Sequence, residues 1–99
     1  MAFSLDFIRP GEGTATRRTL QDGSYLIGRG SACHLQLPYP DVSERHAILL
    51  LRDDTARLED LHSANGTYVN GVRINAQTDL SNGDTIKIGG TTITFHNLV

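Results

Sequence analysis

Apolar residues recur at every second position along most of this chain. Phe3, Leu5 and Phe7 alternate with Ser4 and Asp6, Ile86 and Ile88 with Thr85 and Lys87, and Ile93 and Phe95 with Thr92 and Thr94. Alternation of this kind gives an extended strand one apolar face, whereas an amphipathic helix needs a 3.6-residue stripe, and no window here carries such a stripe with caps. Between the alternating runs stand Pro10-Gly11, Asp22-Gly23, Asp53-Asp54, Asn65-Gly66, Asn70-Gly71, Asn82-Gly83 and Gly89-Gly90. Asn-Gly and Asp-Gly suit tight hairpin turns, because glycine reaches positive φ without a Cβ clash. The expected fold is therefore all-β, an antiparallel sandwich of about ten to eleven short strands with binding loops at one end.

Strands are expected near residues 3–8, 15–20, 24–28, 34–37, 46–52, 56–59, 67–69, 72–74, 84–88 and 91–96. Ala47-Ile48-Leu49-Leu50-Leu51 is apolar at every position and stops at Asp53-Asp54, which predicts a central strand covered on both faces. The longest stretches without strand pattern run from Arg29 to Cys33, Pro38 to Arg45 and Asp60 to Gly66.

A chain of 99 residues is expected to form one domain, residues 1–99, with a core of its own. Nine basic against eleven acidic residues give a net charge of -2, and the only adjacent basic pair is Arg17-Arg18. That balance argues against nucleic-acid binding, which rests on clustered positive charge. One cysteine, Cys33, forms no internal disulfide, so a reducing compartment fits best. The start, Met1-Ala2-Phe3-Ser4-Leu5-Asp6, lacks the basic-then-apolar pattern of a leader, and no segment approaches membrane-spanning length. A cytoplasmic location without direct membrane contact is the expectation, for a monomer or a module of a larger protein.

The three loops hold the chemistry. Arg29 follows Tyr25-Leu26-Ile27-Gly28 where a strand opens into a loop, and a guanidinium there offers paired N–H donors to phosphate oxygens. Ser43 can donate its hydroxyl proton to the same anion, and Asn65 has both the donor and the acceptor needed to hold a peptide backbone. Each has a plainer reading. Arg29 could pair with Asp41 or Glu44 on the surface, Ser43 could brace a turn, and Asn65-Gly66 and Asn70-Gly71 are hairpin turns first of all. Ser43 and His46 also invite a hydrolase reading, but no G-x-S-x-G elbow surrounds the serine. His34, His46, His62 and His96 are scattered without metal-ligand spacing, so neither metal nor cofactor is expected. Gly28-Arg29-Gly30-Ser31 lacks the Gly-Lys-Ser/Thr ending of a nucleotide-binding loop.

Gly28-Arg29, then Ser43-x-x-His46, then Asn65-Gly66-Thr67 and Asn70-Gly71 resembles the signature of the forkhead-associated (FHA) domain, a SMAD-like β-sandwich that binds phosphothreonine. The resemblance covers about residues 25–95. It implies that Arg29 and Ser43 are phosphate ligands and that Asn65 hydrogen-bonds the peptide main chain. It assigns His46 a bracing role, Gly28 a close approach of the loop, and Gly66 and Thr67 the turn around Asn65.

Two positions depart from the family pattern. Glu44 stands where Arg or Asn is frequent, and its carboxylate would repel a phosphate carrying roughly -1.5 to -2 charges. Arg45, one place on, is the expected replacement cation. Ala64 adjoins Asn65 at the peptide, where threonine is common. The implied function is a non-enzymatic module that recognises a threonine-phosphorylated protein or peptide. The competing reading is an adaptor of the same fold that binds its partner independently of phosphate.

Overall fold

The computed structural model describes residues 2–98, folded as eleven strands in two sheets. In chain order they are β1 (Phe3–Ile8), β2 (Thr16–Leu20), β3 (Gly23–Gly28), β4 (Leu35–Gln36), β5 (Ala47–Arg52), β6 (Thr55–Asp60), β7 (Thr67–Val69), β8 (Val72–Arg73), β9 (Thr78–Asp79), β10 (Thr85–Ile88) and β11 (Thr91–Asn97). One sheet runs β2-β1-β11-β10-β7-β8 and the other β4-β3-β5-β6-β9. All pairs are antiparallel except β3 with β4, where Ile27 lies beside Leu35 in a short parallel contact.

The alternation read from sequence is the one that builds the core. Phe3 and Leu5 of β1, Ile86 and Ile88 of β10, and Ile93 and Phe95 of β11 all point inward and are buried, with Phe3 stacked on Phe95 at 5.8 Å between ring centres. The facing sheet contributes Ile27, Leu49 and Leu58. A single cluster runs from Phe3 to Phe95, so both sheets share one core. Among the described residues, no helix is long and apolar enough to cross a membrane.

Three features differ from the sequence expectation. The first concerns β5, which is central in its sheet but covered on one side only: Ala47, Leu49 and Leu51 are buried, while Ile48 and Leu50 are half-buried on the outer face. The second is β9, unforeseen because two residues are too few to show a period; it exists through pairing of Thr78 and Asp79 with Leu58 and Arg57. The third concerns the turns. Asn70-Gly71, with φ of 51° and 82°, does close a two-residue hairpin between Val69 and Val72. Asn65-Gly66 does not close one, because β6 and β7 belong to different sheets and the turn carries the chain across the sandwich. Asp22-Gly23 and Asn82-Gly83 likewise stand at crossings between sheets.

Candidate functional site

The three long loops meet at one end of the sandwich. Gly28 ends β3 against the next loop, where a Cβ would overlap the backbone oxygen of Glu44 and stand 3.0 Å from the Cys33 sulfur. With that side chain absent, two backbone bonds join the loops: Arg29 N–H donates to Ser43 O at 2.9 Å and Gly30 N–H to Glu44 O at 3.1 Å. Gln36 Nε2 donates to Arg29 O at 3.1 Å. Arg29 therefore has a held backbone and an exposed side chain. Its guanidinium donates once, to Val42 O at 3.0 Å, and forms no ion pair among the described residues. The surface pairing with Asp41 considered from sequence is not made, since Asp41 is held by Arg9.

Ser43 sits between two neighbours. Its hydroxyl oxygen accepts the Ala64 N–H at 2.9 Å, and its own N–H donates to His46 Nδ1 at 3.1 Å. A hydroxyl whose oxygen already accepts keeps its proton to donate, which suits an anion. His46 is fully buried, and with Nδ1 accepting, its ring proton lies on Nε2 and is donated to Gly66 O at 2.9 Å. Neither ring nitrogen faces the Ser43 hydroxyl. That geometry removes the serine-hydrolase reading, because a nucleophile needs a base within hydrogen-bond reach.

The turn around Asn65 rests on a polar knot that the sequence reading missed. Asp60 accepts from Ser63 N–H at 3.1 Å, from the Ser63 hydroxyl at 2.5 Å and from the Thr67 hydroxyl at 2.7 Å, and Ser63 Oγ accepts the Gly66 N–H at 2.9 Å. Burial pushes the Asp60 carboxyl up, yet the hydrogen bonds from Ser63 and Thr67 outweigh it and hold the group below its ordinary range. The signal available was the spacing Asp60-x-x-Ser63, a pattern of side chain to backbone bonding typical of turns. Gly66 has φ 86°, a backbone conformation that strains any residue with a Cβ, and the exposed Arg73 side chain of β8 would have to shift to admit one, its Nε lying 2.7 Å from that position. No sequence signal connects Arg73 with this turn.

Asn65 is exposed and donates Nδ2–H to the backbone oxygen of Asp41 at 3.0 Å, leaving Oδ1 and its other N–H without a partner among the described residues. Ala64 is exposed, its N–H committed to Ser43. Glu44 and Arg45 are both exposed and line one hollow with Leu26, Gly30 and Cys33. Neither forms an ion pair among the described residues. The structure thus brings Arg29, Ser43, Ala64 and Asn65 together through direct bonds between their loops, and places Arg45 with Glu44 in the hollow lined by Leu26, Gly30 and Cys33. Among the described residues no group of three His, Cys, Asp or Glu could hold a metal ion.

The pattern of the FHA domain matches residues 25–89, which takes in Gly28, Arg29, Ser43, His46 and the Asn65 turn. The chain belongs to the FHA domain family. This FHA domain is 37% identical over 78 residues to the FHA domain-containing protein FhaA of Mycobacterium tuberculosis, an overlap of 79% of this chain and 15% of FhaA. It is 36% identical over 80 residues to FhaB of the same species, covering 81% of this chain and 52% of FhaB. The chain thus spans about half of FhaB and a small part of FhaA. A solved FHA domain from a structural and functional study of phosphothreonine-dependent FHA interactions superposes with a TM-score of 0.85 at 32% identity, covering 97% of this chain and 96% of that one.

Proposed function

We propose that this FHA domain, taken as one unit over residues 1–99, binds a threonine-phosphorylated partner through an extended peptide laid across the loops. Arg29 and Ser43 hold the phosphate, Arg45 adds positive charge from the rim, and Asn65, next to Ala64, fixes the peptide backbone. The observation that carries this reading is the state of Ser43: its oxygen accepts the Ala64 N–H, which leaves its proton to donate, on a loop bonded to that of an arginine whose guanidinium donates once among the described residues. The phosphothreonine-dependent interactions of the solved relative at 32% identity support the same ligand class. The module works by binding and carries out no reaction itself. We place it in the cytoplasm because its fold needs no disulfide.

A short peptide buries little surface, so the expected dissociation constant is micromolar, about -8 kcal/mol. The test is calorimetric titration with a degenerate phosphothreonine peptide library and its unphosphorylated twin, for the native domain and for Arg29→Ala. Loss of about 2 kcal/mol or more, roughly thirtyfold, is expected on removing Arg29. Equal affinity for the two libraries overturns the phosphate reading.

One observation favours a second reading. The exposed Glu44 carboxylate stands unpaired among the described residues beside Gly30, on the loop that would face the phosphate. An adaptor that ignores phosphate would retain its partner after phosphatase treatment, whereas a phosphate reader releases it.

A further inference from the structure

Asn65 carries the peptide backbone in the reading above, yet it lies on an exposed loop, where a free side chain samples several rotamers. Its only hydrogen bond among the described residues is to the backbone oxygen of Asp41. Asp41 is tied in turn to the opposite sheet. Its carboxylate accepts from Arg9 at 3.2 and 3.3 Å and from Gly90 N–H at 2.6 Å, and Arg9 also donates to the Thr91 hydroxyl at 2.9 Å. The Arg9 guanidinium stacks on Tyr39, 3.7 Å from the ring centre, which fixes the fork from a third direction.

The contact around Asp41 is close enough to exclude side chains. A Cβ on Gly89 would stand 2.7 Å from Asp41 O, and one on Gly90 would stand 2.9 Å from Oδ2. The end of β1, the β10–β11 hairpin and the loop between β4 and β5 are therefore joined at one residue, and the backbone oxygen of that residue receives Asn65. With solvent exposures of 20% and 36%, the Arg9 and Asp41 side chains are shielded more than an ordinary surface pair, so the fork can hold one geometry.

We infer that Arg9 and Asp41 are positioning residues for the phosphopeptide site: joined to Gly90, they set the Asp41 carbonyl that orients Asn65, though neither touches the ligand. This rests on the binding role given to Asn65. Loss of the brace frees the Asn65 side chain, and fixing it again on binding lowers affinity by a factor of about three to ten.

The test has two independent arms. In the free protein, the Asn65 side-chain amide is followed by 1H–15N NMR in the native domain, Arg9→Gln, Asp41→Ala and Asp41→Asn. The native amide is expected to show one bonded proton, distinct in shift and slow to exchange. That signature should be lost in Arg9→Gln and Asp41→Ala and partly restored in Asp41→Asn, which keeps an acceptor for Gly90 N–H.

In the second arm, affinity for a phosphothreonine peptide is measured in the same variants with and without Asn65→Ala, melting temperatures serving as the check on folding. Arg9→Gln is expected to weaken binding about three- to tenfold in the native background and to cost nothing further once Asn65 is Ala. A folded Arg9→Gln domain with an unchanged Asn65 amide overturns the inference, as does an equal loss in both backgrounds. If the native domain binds no phosphothreonine peptide, the proposed function fails instead, and the NMR arm still decides the brace.

Discussion

The backbone oxygen of Glu44 occupies the space a Cβ on Gly28 would need, so the loop carrying Arg29 and the loop carrying Ser43 touch along their main chains. Gly28→Ala is expected to force them apart. Backbone cannot move aside as a flexible side chain does, and overpacking of this kind costs about 2–3 kcal/mol. Urea denaturation measures that cost, and titration with phosphothreonine peptide reports the accompanying loss of affinity as Arg29 moves away from Ser43. A domain of unchanged stability would show that the two loops have slack that the contact does not suggest.

The side chain of Glu44 is expected to act oppositely to its backbone. An exposed carboxylate near a doubly charged phosphate, acting through solvent, opposes binding by about 0.5 kcal/mol. Glu44→Gln is expected to bind phosphopeptide roughly two- to threefold tighter at low ionic strength, the gain vanishing in about 1 M salt where charges are screened within a few ångströms. Affinity measured across a salt series checks this, and an unchanged value at low salt would place Glu44 outside the field of the phosphate.

Acid is expected to loosen the Asn65 turn through Asp60. Its carboxyl is held below the ordinary value of 3.8 in the folded protein, so its stabilising contribution is complete above that value and is lost as pH falls through the folded value. Asp60→Asn is expected to be less stable than the native domain by about 1–2 kcal/mol at neutral pH, with the difference shrinking as both approach pH 3 and below. Asp6, lowered to about 2 by the hydrogen bond from Arg17, and Asp41, lowered mainly by Arg9, titrate in both proteins and drop out of the comparison. Urea midpoints taken between pH 7 and pH 3 supply the measurement. A difference that stays constant across that range rules out the charged form as the source.

Much of the fold was legible because its cause is local. Alternation at Phe3-Leu5-Phe7 and Ile93-Phe95 reports which face of a strand is apolar, and Asn70-Gly71 reports a backbone that needs positive φ at both residues. β5 misled for the same reason. An unbroken apolar run says that both faces tolerate burial, but whether anything covers Ile48 and Leu50 depends on segments elsewhere in the chain. Arg29, Ser43 and Asn65 could be picked out by chemical type and by resemblance. Asp41 and Arg9 could not, since a charged side chain beside a turn looks alike whether it faces water or ties two sheets together, and the Asp60-x-x-Ser63 spacing gives no hint of the bond from Thr67.

By itself, then, the sequence determined the longer strands, the places where the chain turns and the chemical groups on offer, since φ preference and side-chain periodicity are properties of neighbouring residues. Only the tertiary structure decided that Asn65-Gly66 crosses between sheets while Asn70-Gly71 closes a hairpin, and that the Asp41 carbonyl receives Asn65 while its carboxylate receives Arg9. Those outcomes depend on contacts between residues distant in sequence, and their free energy belongs to the pair, so neither partner's local sequence encodes it.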